Sequence, residues 1–173
     1  NVMGNFAETP YKQIKPNNMT AQQKITPCLW VEKDAKEAAN YYLSIFRDGK
    51  LKDYRQFTNP PEMGGANFDT AVMEIAGVEF SILAAGPLFK FNEAVSFVIN
   101  TKDQAETDYY WEALTSNGGE EGVCGWCKDK YGLSWQVVPV EYFYLIHSED
   151  PIVRDKALTN TFKMKKLILS ELK

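Results

Sequence analysis

VEKDAKEAANYY, Val31 to Tyr42, and INTKDQAETDYY, Ile99 to Tyr110, are two renderings of one pattern. In each, an apolar strand end runs into an aspartate suited to cap a helix, and an amphipathic helix with a tyrosine pair follows. Further along, IAGVEFSIL (Ile75–Leu83) lines up with KYGLSWQVV (Lys130–Val138), each turning on a glycine between two strand-like runs. A helix and a closing hairpin that recur in the same order mark an internal β-α-β-β-β repeat.

The flanking segments complete both copies. KITPCLWVE (Lys24–Glu32) is a short run rich in β-branched and aromatic residues, which predicts a first strand. KLKDYRQFT and FDTAVMEI supply two more, and AVSFVIN (Ala94–Asn100) opens the second copy. QAETDYYWEALTSNGG is a helix ending on Gly118-Gly119, a pair suited to a left-handed cap. One βαβββ sheet is strongly curved and cannot cover its own concave face, so two such units pair and leave a cleft. The expected fold class is therefore α+β, with paired βαβββ modules spanning 24–86 and 87–139. A C-terminal helical segment, 140–173, is expected to pack on the same domain through Leu158, Phe162, Leu167 and Leu169. Residues 1–23 lack apolar periodicity and read as a tail outside the fold, either appended or loosely held. MTAQQKITP reads as a natural start at Met19.

Composition excludes several classes. The net charge of −4 lacks the excess of cations that non-specific phosphate binding requires, so no nucleic-acid partner is expected. No apolar run approaches the ~20 residues of a membrane span, and no membrane association is expected. Three cysteines, Cys28, Cys124 and Cys127, are too few and too uneven for a secreted disulfide framework, and the first residues carry no signal-type apolar region. A cytoplasmic location follows.

The C-x-x-C at Cys124–Cys127 tests a redox reading. Such sites place the first cysteine at a helix N-terminus, which stabilises its thiolate, whereas here a hairpin strand follows. Three residues apart on a strand, the two thiols point to opposite faces, so both read as packing groups, as does Cys28. Methyl transfer or dinucleotide chemistry on a doubly wound fold needs a glycine-rich strand-to-helix turn. Neither Gly64-Gly65 nor Gly118-Gly119 has that setting. What remains is a pocket. Strand alternation puts Ser134 and Gln136 on one face and Trp135 on the other, while Trp30 and Trp126 lie near strand ends that border the cleft.

KITPCLWVEKDAKEAANYYLSIF, GPLFKFNEAVSFVI, DYYWEALTSNGGEEGVCGWCKDKYGLSWQVVP and MKKLILSEL closely resemble the PhnB-like family, often labelled 3-demethylubiquinone-9 3-methyltransferase-like. That family lies in the glyoxalase/bleomycin-resistance/dioxygenase (vicinal oxygen chelate) superfamily. The resemblance covers about Lys24 to the C-terminus and implies paired βαβββ modules and a homodimer. It also implies where a metal would be held in superfamily members that use one. The first-strand positions fall at Pro27 and at Val95 or Ser96, and the last-strand positions, four past each hairpin glycine, fall at Ser81 and Gln136. None is His, Asp or Glu, and a hydroxyl or an amide is a weak ligand for a dication. His147, the single histidine, lies outside both modules and reads as an exposed helix-end residue.

The reading is a metal-free, cofactor-free homodimer that binds a small organic ligand through Gln136, Trp135, Trp126, Trp30, Ser81, Ser96 and Glu74. In it the stretch Cys124–Val138 is a pocket wall, with Gln136 its main polar contact and Trp126 or Trp135 its aromatic area. The rival is a metal-dependent glyoxalase/dioxygenase-type enzyme with atypical ligands, or a metal-free catalyst using Glu74 and Gln136.

Overall fold

The computed structural model of the chain describes residues 23–58 and 67–173. Met19 and almost all of the expected tail lie outside the described residues. Gln23, placed in that tail, belongs to the fold: its Nε2 donates to the Glu79 carbonyl (2.9 Å), and its Oε1 accepts from the Glu79 N–H (2.9 Å).

The first module comprises β1 (Cys28–Val31), α1 (Ala35–Ile45), β2 (Lys50–Phe57), β3 (Phe68–Ile75) and β4 (Val78–Ala84). The second comprises β5 (Ser96–Thr101), α2 (Gln104–Thr115), β6 (Glu120–Glu121), β7 (Trp126–Lys128) and β8 (Ser134–Pro139). Three helices follow: α3 (Val140–Ile146), α4 (Pro151–Thr161) and α5 (Leu169–Leu172). Sheet A has the order β1-β4-β3-β2, and sheet B repeats it as β5-β8-β7-β6. In both, the first strand of the module pairs parallel with the last. The repeat in the sequence is thus a repeat of topology.

Local chemistry explains each copy. Asp34 Oδ1 accepts from the Glu37 N–H and Asp103 Oδ1 from the Glu106 N–H, both at 2.8 Å, so each helix starts on a carboxylate cap. On the inner strands and β1 of sheet A every second residue is buried: Leu29 and Val31 on β1, Ala71, Met73 and Ile75 on β3, Phe80, Ile82 and Ala84 on β4, whereas the edge strand β2 buries none. Helix α1 closes this face with Ala35, Ala38, Ala39, Tyr42 and Ile45, a single apolar stripe.

The covered faces of the two sheets meet in one core. Phe80 of sheet A lies edge-on to Phe97 of sheet B, with ring centroids 5.1 Å apart. Phe46, which follows α1, reaches Trp135 of β8 at 5.6 Å. At the centre lies Asp129, 2% exposed. Its Oδ2 accepts from Tyr42 Oη of α1 (2.9 Å) and from Trp135 Nε1 (2.8 Å). Its Oδ1 accepts from the N–H groups of Tyr131 (2.8 Å) and Leu133 (3.2 Å). Burial pushes this carboxyl above its ordinary value, and the four donors pull against that rise.

The C-terminal segment is helical and covers part of sheet B. Met164, Leu167 and Leu172 bury with Val138. Phe162, expected to pack there, is 76% exposed, because the packed side of α4 is the small pair Ala157 and Thr161. The loop before β7 is fastened to this segment: the Cys124 N–H donates to the Met164 carbonyl (2.8 Å), and the Gly125 N–H donates to the Lys165 carbonyl (2.7 Å). Gly125 has a φ of 82° and no room for a side chain, since a Cβ would lie 3.0 Å from the Val137 carbonyl and 3.2 Å from Leu167.

Two measurements of stability check this account. Asp129→Ala strands two buried side-chain donors and two N–H groups, so chemical denaturation is expected to show a loss of more than about 3 kcal/mol, against about 1–2 kcal/mol for Tyr42→Phe. Ala76 has a φ of 48° beside Gly77 at 74° in the two-residue β3–β4 turn, where both central residues must be left-handed. Ala76→Asn is expected to raise the unfolding free energy by about 0.5–1 kcal/mol; an unchanged or lower urea midpoint would contradict that assignment.

Candidate functional site: the open sheet faces

Each sheet has a second face, on the side away from the shared core. On sheet B the register groups Ser96 and Val98 of β5, Trp126 and Lys128 of β7, and Ser134 and Gln136 of β8. Gln136 is half-buried, and its Nε2 donates to Ser96 Oγ at 2.9 Å. That bond leaves the Gln136 carbonyl oxygen as an acceptor and the Ser96 hydroxyl proton as a donor, side by side on the open face. Of the two first-strand candidates, Ser96 is therefore the one that meets Gln136, while Val95 is 63% exposed just before the strand.

On sheet A the corresponding face carries Cys28 and Trp30 of β1, Ser81 of β4 and Glu74 of β3. Ser81 Oγ lies 3.4 Å from the Pro27 carbonyl. Trp30 Nε1 donates to the Gly86 carbonyl (2.8 Å), and its ring meets Phe89 edge-on at 4.8 Å. Glu74 is held in an ion-pair cluster, 3.0 Å from Lys50 and 3.6 Å from Lys52, which also binds Glu79 (2.6 Å). The Lys50 hydrogen bond draws the Glu74 carboxyl below its usual value, so it is a poor base at neutral pH.

Trp135 lies elsewhere. It is 3% exposed in the shared core with its N–H spent on Asp129, because the face of β8 opposite Gln136 is the covered one. It offers no surface to a ligand. Cys28 departs from expectation in the other direction: it is exposed at the start of β1 and is not a packing thiol. Cys124 occupies a left-handed turn with a φ of 56°, and Cys127 is buried. Burial, with Asp129 adding, pushes the Cys127 thiol up to about 12, which rules out a thiolate partner for Cys124.

The donors at the positions where the resemblance would place metal ligands, Ser81, Ser96 and Gln136, are neutral, and one amide hydrogen of Gln136 is committed to Ser96. Such a set does not fit a dication. Among the described residues no three His, Cys, Asp or Glu side chains converge on a point. His147 is exposed at the end of α3, as its place in the sequence implied, with its Nδ1 2.8 Å from the Phe143 carbonyl.

Two clefts adjoin these faces. One of about 440 Å³ lies between Trp30 and Phe89 on one side and Lys128, Lys130 and Tyr131 on the other. The second, of about 640 Å³, runs over Val123, Cys124, Trp126 and Ser134 to Phe162. Trp30 and Trp126 thus each border a cleft, but neither cleft is lined by Gln136, Ser96, Ser81 or Glu74. Within one chain the residues named from the sequence, Trp135 apart, are divided between the two open faces. Residues not foreseen are Ser134 as a buried wall residue, Val123, and Phe162 as a rim. The alternation that exposed Gln136 also placed Ser134 beside it; nothing in the sequence announced Phe162.

A family model described as 3-demethylubiquinone-9 3-methyltransferase matches residues 23–138. The chain belongs to this family. It is the PhnB-like family of the vicinal oxygen chelate superfamily, and its paired βαβββ modules are those of the fold above. Among solved structures, a PhnB protein from Bacillus cereus is 28% identical, with a TM-score of 0.60, covering 68% of this chain and all (100%) of that one. Protein PA1353 from Pseudomonas aeruginosa is 21% identical, with a TM-score of 0.53, covering 68% of this chain and 97% of that one. The fosfomycin resistance protein FosX from Listeria monocytogenes follows at 16% identity and a TM-score of 0.47, covering 68% and 92%. No curated protein matches the chain. Among the described residues no helix is long and apolar enough to cross a membrane.

The thiols give a check on this PhnB-like site. In the native protein at pH 8, a thiol-specific chromogenic reagent is expected to leave Cys127 unreacted until denaturant is added, while exposed Cys28 reacts at once. With a folded value of about 12 against an ordinary 9.0, the Cys127 contribution to stability is complete below pH 9 and is lost as the pH climbs towards 12. Rapid native reaction of all three thiols would contradict the burial.

Proposed function

We propose that the chain binds a small organic ligand, without a catalytic metal, as a homodimer in which the open face of sheet A from one copy faces the open face of sheet B from another. The observation that carries this reading is the Gln136–Ser96 pair. It is a preset acceptor and donor on a half-buried sheet face, with no charge and no proton to transfer at neutral pH. Facing sheets would bring Ser81 and Trp30 of one copy to Gln136 and Trp126 of the other, which a single chain keeps apart. They would also cover Val98, 45% exposed on β5.

The family's methyltransferase label does not extend to this reading. Gly118 and Gly119 end α2 rather than open a helix after a strand, and Gly64-Gly65 lies outside the described residues. Metal-dependent lyase or dioxygenase chemistry would have to run on neutral donors, and Glu74 is already neutralised by lysines.

Thermal-shift screening of a small-molecule library, followed by titration of the best hit, tests the proposal. Gln136→Leu is expected to weaken that ligand by about 1–3 kcal/mol, roughly 5- to 150-fold, with the melting temperature little changed. Elemental analysis of protein purified from metal-supplemented medium is expected to find no stoichiometric zinc, iron, manganese or nickel. About one bound metal per chain, or a hit indifferent to Gln136→Leu, would overturn the reading.

A further inference from the structure

The cleft over β7 ends against a side chain whose chemistry is unfinished. Ser134 is 1% exposed, lines the cleft floor, and its Oγ has no hydrogen-bond partner among the described residues. A buried hydroxyl left unpaired is costly and uncommon. Its ladder neighbours do not relieve it: opposite Ser96 accepts from Gln136, and the Lys128 ammonium is paired with Glu93. The walls are apolar and open to water. Val123 is 61% and Phe162 76% exposed, and Trp126, half-buried, lines the same cleft. Isolated apolar side chains on a surface need no explanation, but three around one concave site of about 640 Å³ are a ligand-sized apolar pocket.

The rim fixes the charge. Glu93, Glu120 and Glu121 stand there against Lys128 alone, whose charge Glu93 already meets; Glu121 pairs with Lys165 at 3.0 Å. An anion entering this cleft meets an excess of carboxylates and no unpaired lysine among its lining residues.

We propose that this cleft is a subsite for a neutral, ring-bearing apolar molecule, stacked between Trp126 and Phe162 and seated by a hydrogen bond to the Ser134 hydroxyl. The subsite is the outer end of the sheet B open face, so it rests on that face being where ligand binds, and it names the class of ligand.

Two fluorescent probes with one skeleton test it: N-phenyl-1-naphthylamine, which is neutral and carries an N–H donor, and 8-anilinonaphthalene-1-sulfonate, its anionic counterpart. Titrated into the full chain, the neutral probe is expected to saturate at one site per chain and to bind at least about tenfold tighter than the sulfonate. Phe162→Ala removes an exposed ring and Ser134→Ala an unpaired hydroxyl, so both variants fold. Each is expected to weaken the neutral probe about 3- to 10-fold, with the melting temperature kept or, for Ser134→Ala, raised. Equal binding of the two probes, no saturable binding, or neutral-probe binding unchanged in either variant would overturn the subsite. If the library hit ignores Gln136→Leu while the neutral probe still depends on Ser134 and Phe162, the dimer-cleft reading fails and the subsite stands.

Discussion

Asp129 is a carboxylate almost sealed from water, and its four donors come from three parts of the chain: Tyr42 on α1, Trp135 on β8, and the N–H groups of Tyr131 and Leu133 in the turn between. A charge in that position is tolerable only while every one of those donors is in place. The network therefore sets the position of the first module's helix on the second module's last strand. It also decides which face of each sheet is closed. With Tyr42, Phe46, Phe80, Phe97 and Trp135 gathered on one side, the opposite faces are left open.

The chemistry offered on those faces follows from what occupies a few inward positions. A dication site needs several charged or imidazole donors aimed at one point. Here the same scaffold presents an amide bonded to a hydroxyl, a second hydroxyl near a proline carbonyl, and tryptophans at the borders. Groups of this kind recognise shape and hydrogen-bonding pattern, and they neither bind hard cations nor shuttle protons at neutral pH. Several carboxylates near these faces, Glu74 and Glu79 on sheet A and Glu93 and Glu121 near sheet B, are engaged by lysines.

The fold was legible in the sequence because both copies of the module advertise it locally: an aspartate cap, a helical stripe, and a hairpin glycine from which the last strand can be counted. The same counting found Gln136 and Ser81, and the alternation along LSWQV separated Gln136 from Trp135. Alternation does not say which face is covered, however, and so Trp135 was carried into the candidate pocket when its face is the core. Tertiary partners were out of reach for the same reason. Nothing near Glu74 in sequence shows that Lys50 and Lys52 lie across the ladder from it, and nothing near Asp129 shows that Tyr42, 87 residues away, completes its shell. Phe162 was read as a packing residue from its helical spacing, but α4 packs through smaller side chains.

The bonds from Cys124 and Gly125 to Met164 and Lys165 bear on the order in which the molecule matures. A chain synthesised from its N-terminus finishes the first module, and then the strands of the second, before the residues that satisfy these two amides exist. Until they arrive, the loop beneath Trp126 holds open N–H groups at a glycine with no side chain to shield it, beside the space that Leu167 will fill. The floor of the larger cleft is thus among the last regions to set, and a nascent chain is most vulnerable to premature association at the surface proposed above as the ligand subsite.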